Sequence, residues 1–171
     1  TLLRTLAGVI KPLGGDYDCA GRCQLLSEDL AFDRELPARV ILKSLLDKHN
    51  FKEAMSLAER LELDTDKPYG KLSTGNKRKV ALLVAEFSVK EGRSDILLLD
   101  EPFTGLDAFA REVFQELWEK RRDGVLRLVS CHPDFDSMEM QSSVLITEGK
   151  IVHLSGEEAP KQWGDLKSQL N

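Results

Sequence analysis

Cysteine is scarce in this chain of 171 residues: there are three, Cys19, Cys23 and Cys131. An odd count without framework spacing argues against a disulfide scaffold, and Cys19-x3-Cys23 lacks the second pair of ligands that a zinc site needs. Reduced thiols in a cytosol are the expectation. A basic excess is absent too, since 24 Lys+Arg against 29 Asp+Glu leave a net charge of −5. Long-range attraction to a phosphate backbone needs the opposite balance, so nucleic acid is not an expected partner. Long apolar runs are also missing. Ile96 to Leu99 and Val80 to Ala85 are the longest, far short of the roughly 18 to 20 residues that cross a bilayer. The opening stretch, Thr1 to Ile10, is interrupted by Arg4 and has no basic leader, so it does not read as a signal peptide. A membrane role would have to come through a partner.

What is present suits one globular domain, with 42% hydrophobic and 31% charged residues. Leu3, Leu6, Ala7 and Ile10 form a helical stripe over residues 2–10, stopped by Pro12 and Gly14-Gly15. A short strand is predicted around Cys23 to Leu26. The stretch from Pro37 to Leu63 carries two helical patterns, the second with Phe51, Ala54, Met55 and Ala58 on its buried face. A further helix is predicted from Gly75 to Val89, ended by the polar link from Lys90 to Ser94.

Ile96 to Leu99 is a continuous apolar run, as expected of a parallel strand covered on both faces. Residues 108–122 place Ala110, Val113, Phe114, Leu117 and Trp118 on one helical face, with Asp107 as N-cap and Gly124 past the end. A second buried strand is predicted over Val125 to Val129. Strand, helix, strand in that order is a βαβ unit of an α/β sheet. Val144 to Ile146 and Ile151 to Leu154 read as a late pair of strands.

In open α/β sheets ligands sit at the carboxyl ends of the strands. Here one such end carries Asp100 and Glu101, and the other leads to His132. Neighbouring residues leaving a strand point in different directions, so two carboxylates can divide labour between a hydrated Mg²⁺ and an attacking water. The plain alternative is a pair of solvated acids. Upstream, Leu72-Ser73-Thr74-Gly75-Asn76 opens a helix with a hydroxyl, a glycine and then Lys77-Arg78-Lys79. Backbone N–H groups at a helix N-terminus make an anion site, and glycine lets a phosphate approach. Taken alone, Ser73 is equally an N-cap and the three basic residues a solvated face.

Together, KLSTGNKRKVALL, ILLLDEPFTGLD and LVSCHP, in that order, resemble the ATP-binding cassette (ABC) ATPase domain. LSTGN is similar to the LSGGQ signature, ILLLDE to the Walker B strand, TGLD to the D-loop and His132 to the switch histidine. The resemblance implies an α/β fold: a P-loop NTPase-like parallel sheet core, from residues 1–29 and 92–155, with an inserted all-helical subdomain over about 30–91. It implies ATP and Mg²⁺ as cofactors. Asp100 would hold the Mg²⁺ shell through water, Glu101 would act as general base, and His132 would contact the γ-phosphate. Ser73, Thr74, Gly75 and Asn76 would contact the nucleotide of an opposing subunit, and Asp107 would organise the subunit interface. The Q-loop residue is Glu28, or Gln24 if the preceding strand is slipped.

The resemblance has departures. The P-loop pattern G-x-x-x-x-G-K-[ST], which cradles the phosphates, does not occur in these residues. Thr1 to Gly8 looks like the run that follows it, so residues 1–171 are expected to form a single, N-terminally incomplete ABC ATPase domain, inactive without that segment. Thr74 and Asn76 vary the signature, and the link before the Walker B strand is a few residues longer than usual. The implied function is the ATP-hydrolysing subunit of an ABC transporter, of the exporter type whose ATPases are made as separate chains. Its partners would be a second ATPase subunit, identical or different, and a membrane-spanning protein, placing it in the cytoplasm at the inner face of the membrane. Two alternatives stand beside it: a soluble ABC ATPase acting on ribosome or DNA, and a non-catalytic cassette remnant acting as a binding module.

Overall fold

The computed structural model describes residues 1–89, 95–121, 124–130 and 142–156. The chain divides into two compact units, Thr1–Ser130 and Cys131–Asn171. The first is built on a three-stranded parallel sheet in the order β1 (Cys23–Leu26), β2 (Ile96–Asp100), β3 (Leu126–Ser130). The registers run Cys23 to Ile96 through Leu26 to Leu99, and Ile96 to Leu126 through Asp100 to Ser130. β2 therefore has a neighbour on each side. Leu97, Leu98 and Leu99 are fully buried, so consecutive residues are covered on opposite faces, at about 1.5–3 kcal/mol each.

Between β1 and β2 lie α2 (Ala38–Leu45), α3 (Lys48–Arg60), a 3-10 turn (Tyr69–Lys71) and α4 (Thr74–Ser88). In α2 the buried positions Ala38, Ile41 and Leu42 fall at i, i+3 and i+4. In α3 the buried Ala54 and Ala58 are one turn apart, and Asp47 caps the helix by accepting from the Asn50 N–H at 2.9 Å. Every residue of α4 from Lys79 to Phe87 is buried. Such a helix has no solvent face, because β1 packs on one part of it and α2 and α3 on others. After β2, α5 (Ala108–Lys120) returns the chain to β3.

The opening helix is shorter than its pattern predicts. α1 spans Leu2–Leu6, not residues 2–10, because Gly8 turns left-handed at φ +71°. The Val9 N–H then bonds the Arg4 carbonyl and the Gly8 N–H bonds that of Thr5, both at 2.9 Å. This pair of bonds closes a helix C-terminus, and only a residue without Cβ adopts it without strain.

In the second unit, β4 (Ser142–Thr147) and β5 (Lys150–Ser155) form an antiparallel hairpin. Glu148 and Gly149 join them with φ of +49° and +74°, the two-residue turn whose twist matches paired strands.

Candidate functional site

Asp100 closes β2, and the chain turns sharply after it. Glu101 adopts φ +45°, a left-handed conformation that costs an ordinary residue about 1–2 kcal/mol. It persists because its neighbours over-determine it. The Glu101 N–H donates to the Ser130 hydroxyl at 2.9 Å, and that hydroxyl donates to Asp100 Oδ1 at 2.8 Å. The parallel register that sets Ser130 beside Asp100 thus orients the Asp100 carboxylate. Glu101 is exposed, and its Oε2 accepts from the Thr104 hydroxyl at 3.2 Å.

The rest of this loop is anchored by buried side chains. Phe103 is fully buried and stacks on Trp118 with ring centroids 5.0 Å apart, and Leu106, three residues on, is buried as well. Asp107 caps α5, accepting from the Ala110 N–H at 2.7 Å. That bond holds its carboxyl below the usual carboxylate range, with Lys79 adding to the effect.

The N-terminus of α4 meets this loop. Ser73 caps α4 by accepting from the Asn76 N–H at 3.2 Å, and Ser73 and Thr74 are exposed. A Cβ on Gly75 would lie 2.8 Å from the Gly105 carbonyl oxygen. Glycine is therefore required there by packing within the chain.

The three basic residues that follow are not a solvated face. Lys77 lies over the Tyr69 ring at 5.8 Å. Lys79 is buried, donates to the Leu61 carbonyl at 3.0 Å and sits 3.5 Å from Asp107 Oδ2. Arg78 donates to four backbone carbonyls: Asp100 at 2.6 Å, Glu101 at 2.7 Å, Pro102 at 3.0 Å and Ser27 at 3.1 Å. One guanidinium thus joins α4 to the chain leaving β1 and to the chain leaving β2. Burial lowers its pKa from that of a free arginine, opposed by the charges of Glu28, Asp100 and Glu101, and a guanidinium has far to fall before it loses its proton. Sequence reasoning missed Arg78, and the one signal was its place within a basic triplet.

Gln24 and Glu28 sit differently. Gln24 is inside β1, opposite Leu97, and its amide nitrogen donates to the Ser88 hydroxyl at the end of α4. Its Oε1 is buried without a partner among the described residues. Glu28 lies two residues past β1 and is exposed. His132 and the long link before β2 lie outside the described residues.

No protein-family model matches the chain. Individual relatives do. The cytochrome c biogenesis ATP-binding export protein CcmA of Sphingopyxis alaskensis is 32% identical over 151 residues, covering 82% of this chain and 75% of that protein. The chain belongs to the ABC transporter ATP-binding proteins. CcmA of Zymomonas mobilis is likewise 32% identical over 149 residues, 83% of this chain, and the chain spans 64% of its length. Among solved structures, a putative ABC transporter ATP-binding protein from Pyrococcus furiosus superposes with a TM-score of 0.61 at 25% identity, over 77% of this chain and 72% of that one. The mixed α/β architecture with a parallel core is thus that of the ABC ATPases.

Proposed function

We propose that this member of the family is the ATP-hydrolysing subunit of an exporter-type ABC transporter, acting as a dimer on a separate membrane-spanning partner. The observation that carries the reading is convergence on one loop. Asp100 and Glu101 leave the buried central strand there, and the Ser73-capped end of α4 abuts the same loop at Gly105. The reading as an exporter is supported by the two CcmA relatives, which are export proteins. Among the described residues no helix is long and apolar enough to cross a membrane, in keeping with a subunit that sits at the inner face through its partner.

The residues divide the work as follows. Glu101 orients and deprotonates the attacking water, its carboxylate steadied by Thr104. His132 contacts the γ-phosphate. Ser73, Thr74, Gly75 and Asn76 offer donors to the nucleotide of the opposing subunit; the Ser73 oxygen accepts from Asn76, and its O–H remains to donate. Asp107 organises the subunit interface, and Glu28 is the Q-loop residue facing the membrane partner. Asp100, oriented by Ser130, suits a hydrated Mg²⁺, which takes one or two carboxylates with waters and phosphates rather than an all-protein cage. Among the described residues no group of three or more His, Cys, Asp and Glu side chains forms such a cage. The ion would supply charge neutralisation for the transferring phosphoryl group.

The test is ATP turnover by the full-length protein, as wild type and as Glu101→Gln. Loss of at least about 100-fold in kcat with ATP binding retained is expected, together with stimulation of the wild type by its membrane partner. Undiminished turnover by Glu101→Gln would sink the assignment of Glu101. No partner-dependent activity would sink the transporter role.

A further inference from the structure

The loop leading into β1 brings two thiols together. The Cys19 and Cys23 sulfurs lie 2.8 Å apart, and either can donate to the other. Both residues are free and half-buried. A disulfide bond is ~2.05 Å long, so closing it asks for a displacement of less than about 1 Å. Cys23 is fixed in place as the first residue of β1, paired with Ile96. Next to it, Arg22 donates to the Ser88 carbonyl at 3.0 Å and to Asp95 at 3.2 Å. Cys19 lies outside the strand, in the loop that leads into it.

Nothing in the nucleotide-binding reading uses either sulfur. We propose that Cys19 and Cys23 form a thiol–disulfide exchange site, closed by a small-molecule disulfide of the glutathione class into an intrachain bond. That bond ties the loop to the first residue of β1. The chemistry balances in two exchanges. The Cys19 thiolate attacks the small disulfide, forming a mixed disulfide and expelling one small thiolate. The Cys23 thiolate then attacks the Cys19 sulfur, forming the protein disulfide and expelling the second. The two cysteines are oxidised, the small disulfide is reduced, and the two cysteine protons end on the two expelled thiolates.

The order of attack follows from the surroundings. Burial first, and then the hydrogen bond and charge of Cys19, push the Cys23 thiol up to about 11. Cys23 therefore rests as a neutral thiol and serves as the resolving group. Once Cys19 is in a mixed disulfide its charge no longer opposes ionisation of Cys23. A spacing of three residues between the cysteines gives no hint of this.

The experiment exposes the chain to oxidised glutathione and reads intact mass and a non-reducing peptide map. Wild type is expected to lose two hydrogens and to yield a Cys19–Cys23 cross-linked peptide, and Cys131→Ser to do the same. Cys23→Ser is expected to lose the cross-link and to carry a persistent glutathione adduct on Cys19, whereas Cys19→Ser is expected to lose the cross-link and leave Cys23 largely unmodified. A stable adduct on wild-type Cys19 or Cys23, a cross-link to Cys131, or three unreacted thiols would each overturn the proposal. The wild-type peptide map decides the matter even if a variant fails to fold, and it reads no ATPase activity.

Discussion

Arg78 shows how much one side chain can organise. Its fork of donors holds the carbonyls of Asp100, Glu101 and Pro102, and a lysine ammonium cannot span three acceptors with fixed directions. Arg78→Ala in the parent protein is expected to lower kcat about 10- to 100-fold, the range seen when groups that orient reacting residues are removed. KM for ATP should change little, because the contacts are to the carboxylates' backbone, and Arg78→Lys should fail to restore turnover. Steady-state kinetics of both variants checks this, and an unchanged kcat would return Arg78 to a purely structural role. Asp100 and Glu101 were legible from their place after an apolar run. Arg78 was not, because a basic triplet in sequence does not say which member points at carbonyls.

At the scale of elements, α4 is held to α5 and β3 through one buried acid. Glu86 is fully buried; it accepts from the Trp118 indole at 2.8 Å and from Arg127 at 3.0 Å, with Arg121 3.6 Å from the same oxygen. Glu86→Ala should destabilise the fold by about 1–3 kcal/mol, since it removes the buried acceptor that the Trp118 indole and two half-buried guanidiniums share. Glu86→Gln, which keeps an acceptor for Trp118, should cost less. Urea unfolding midpoints of the two variants check the order, and equal small losses would mean that the ion pairs contribute nothing net. The helical and strand patterns of α2 to α5, β1 and β2 could be read from periodicity and apolar runs, whereas β3, expected to be buried, has Leu126 exposed and its other residues half-buried. α1 was overextended because a stripe through Ile10 outweighed a single glycine at position 8. In the native chain that glycine closes the helix through backbone hydrogen bonds that no stripe records.

For the whole molecule, the phosphate cradle decides what these 171 residues can do alone. They contain the elements that would act on a γ-phosphate but not the G-x-x-x-x-G-K-[ST] pattern that grips the β- and γ-phosphates. Calorimetry on this chain is therefore expected to find no micromolar ATP binding, and tight binding would show that another segment supplies the grip. The family, the order of elements and the acids at the end of β2 can be read along the chain, because those depend on residue type and local spacing. Which residues meet is settled by packing. Arg78 reaches four carbonyls from two chain segments 51 and 22 to 24 positions away, Gly75 is needed because Gly105 passes against it, and Cys19 finds Cys23. Those contacts are set by how helix and sheet pack, and side-chain direction and backbone approach at such junctions carry no periodic signal along the chain.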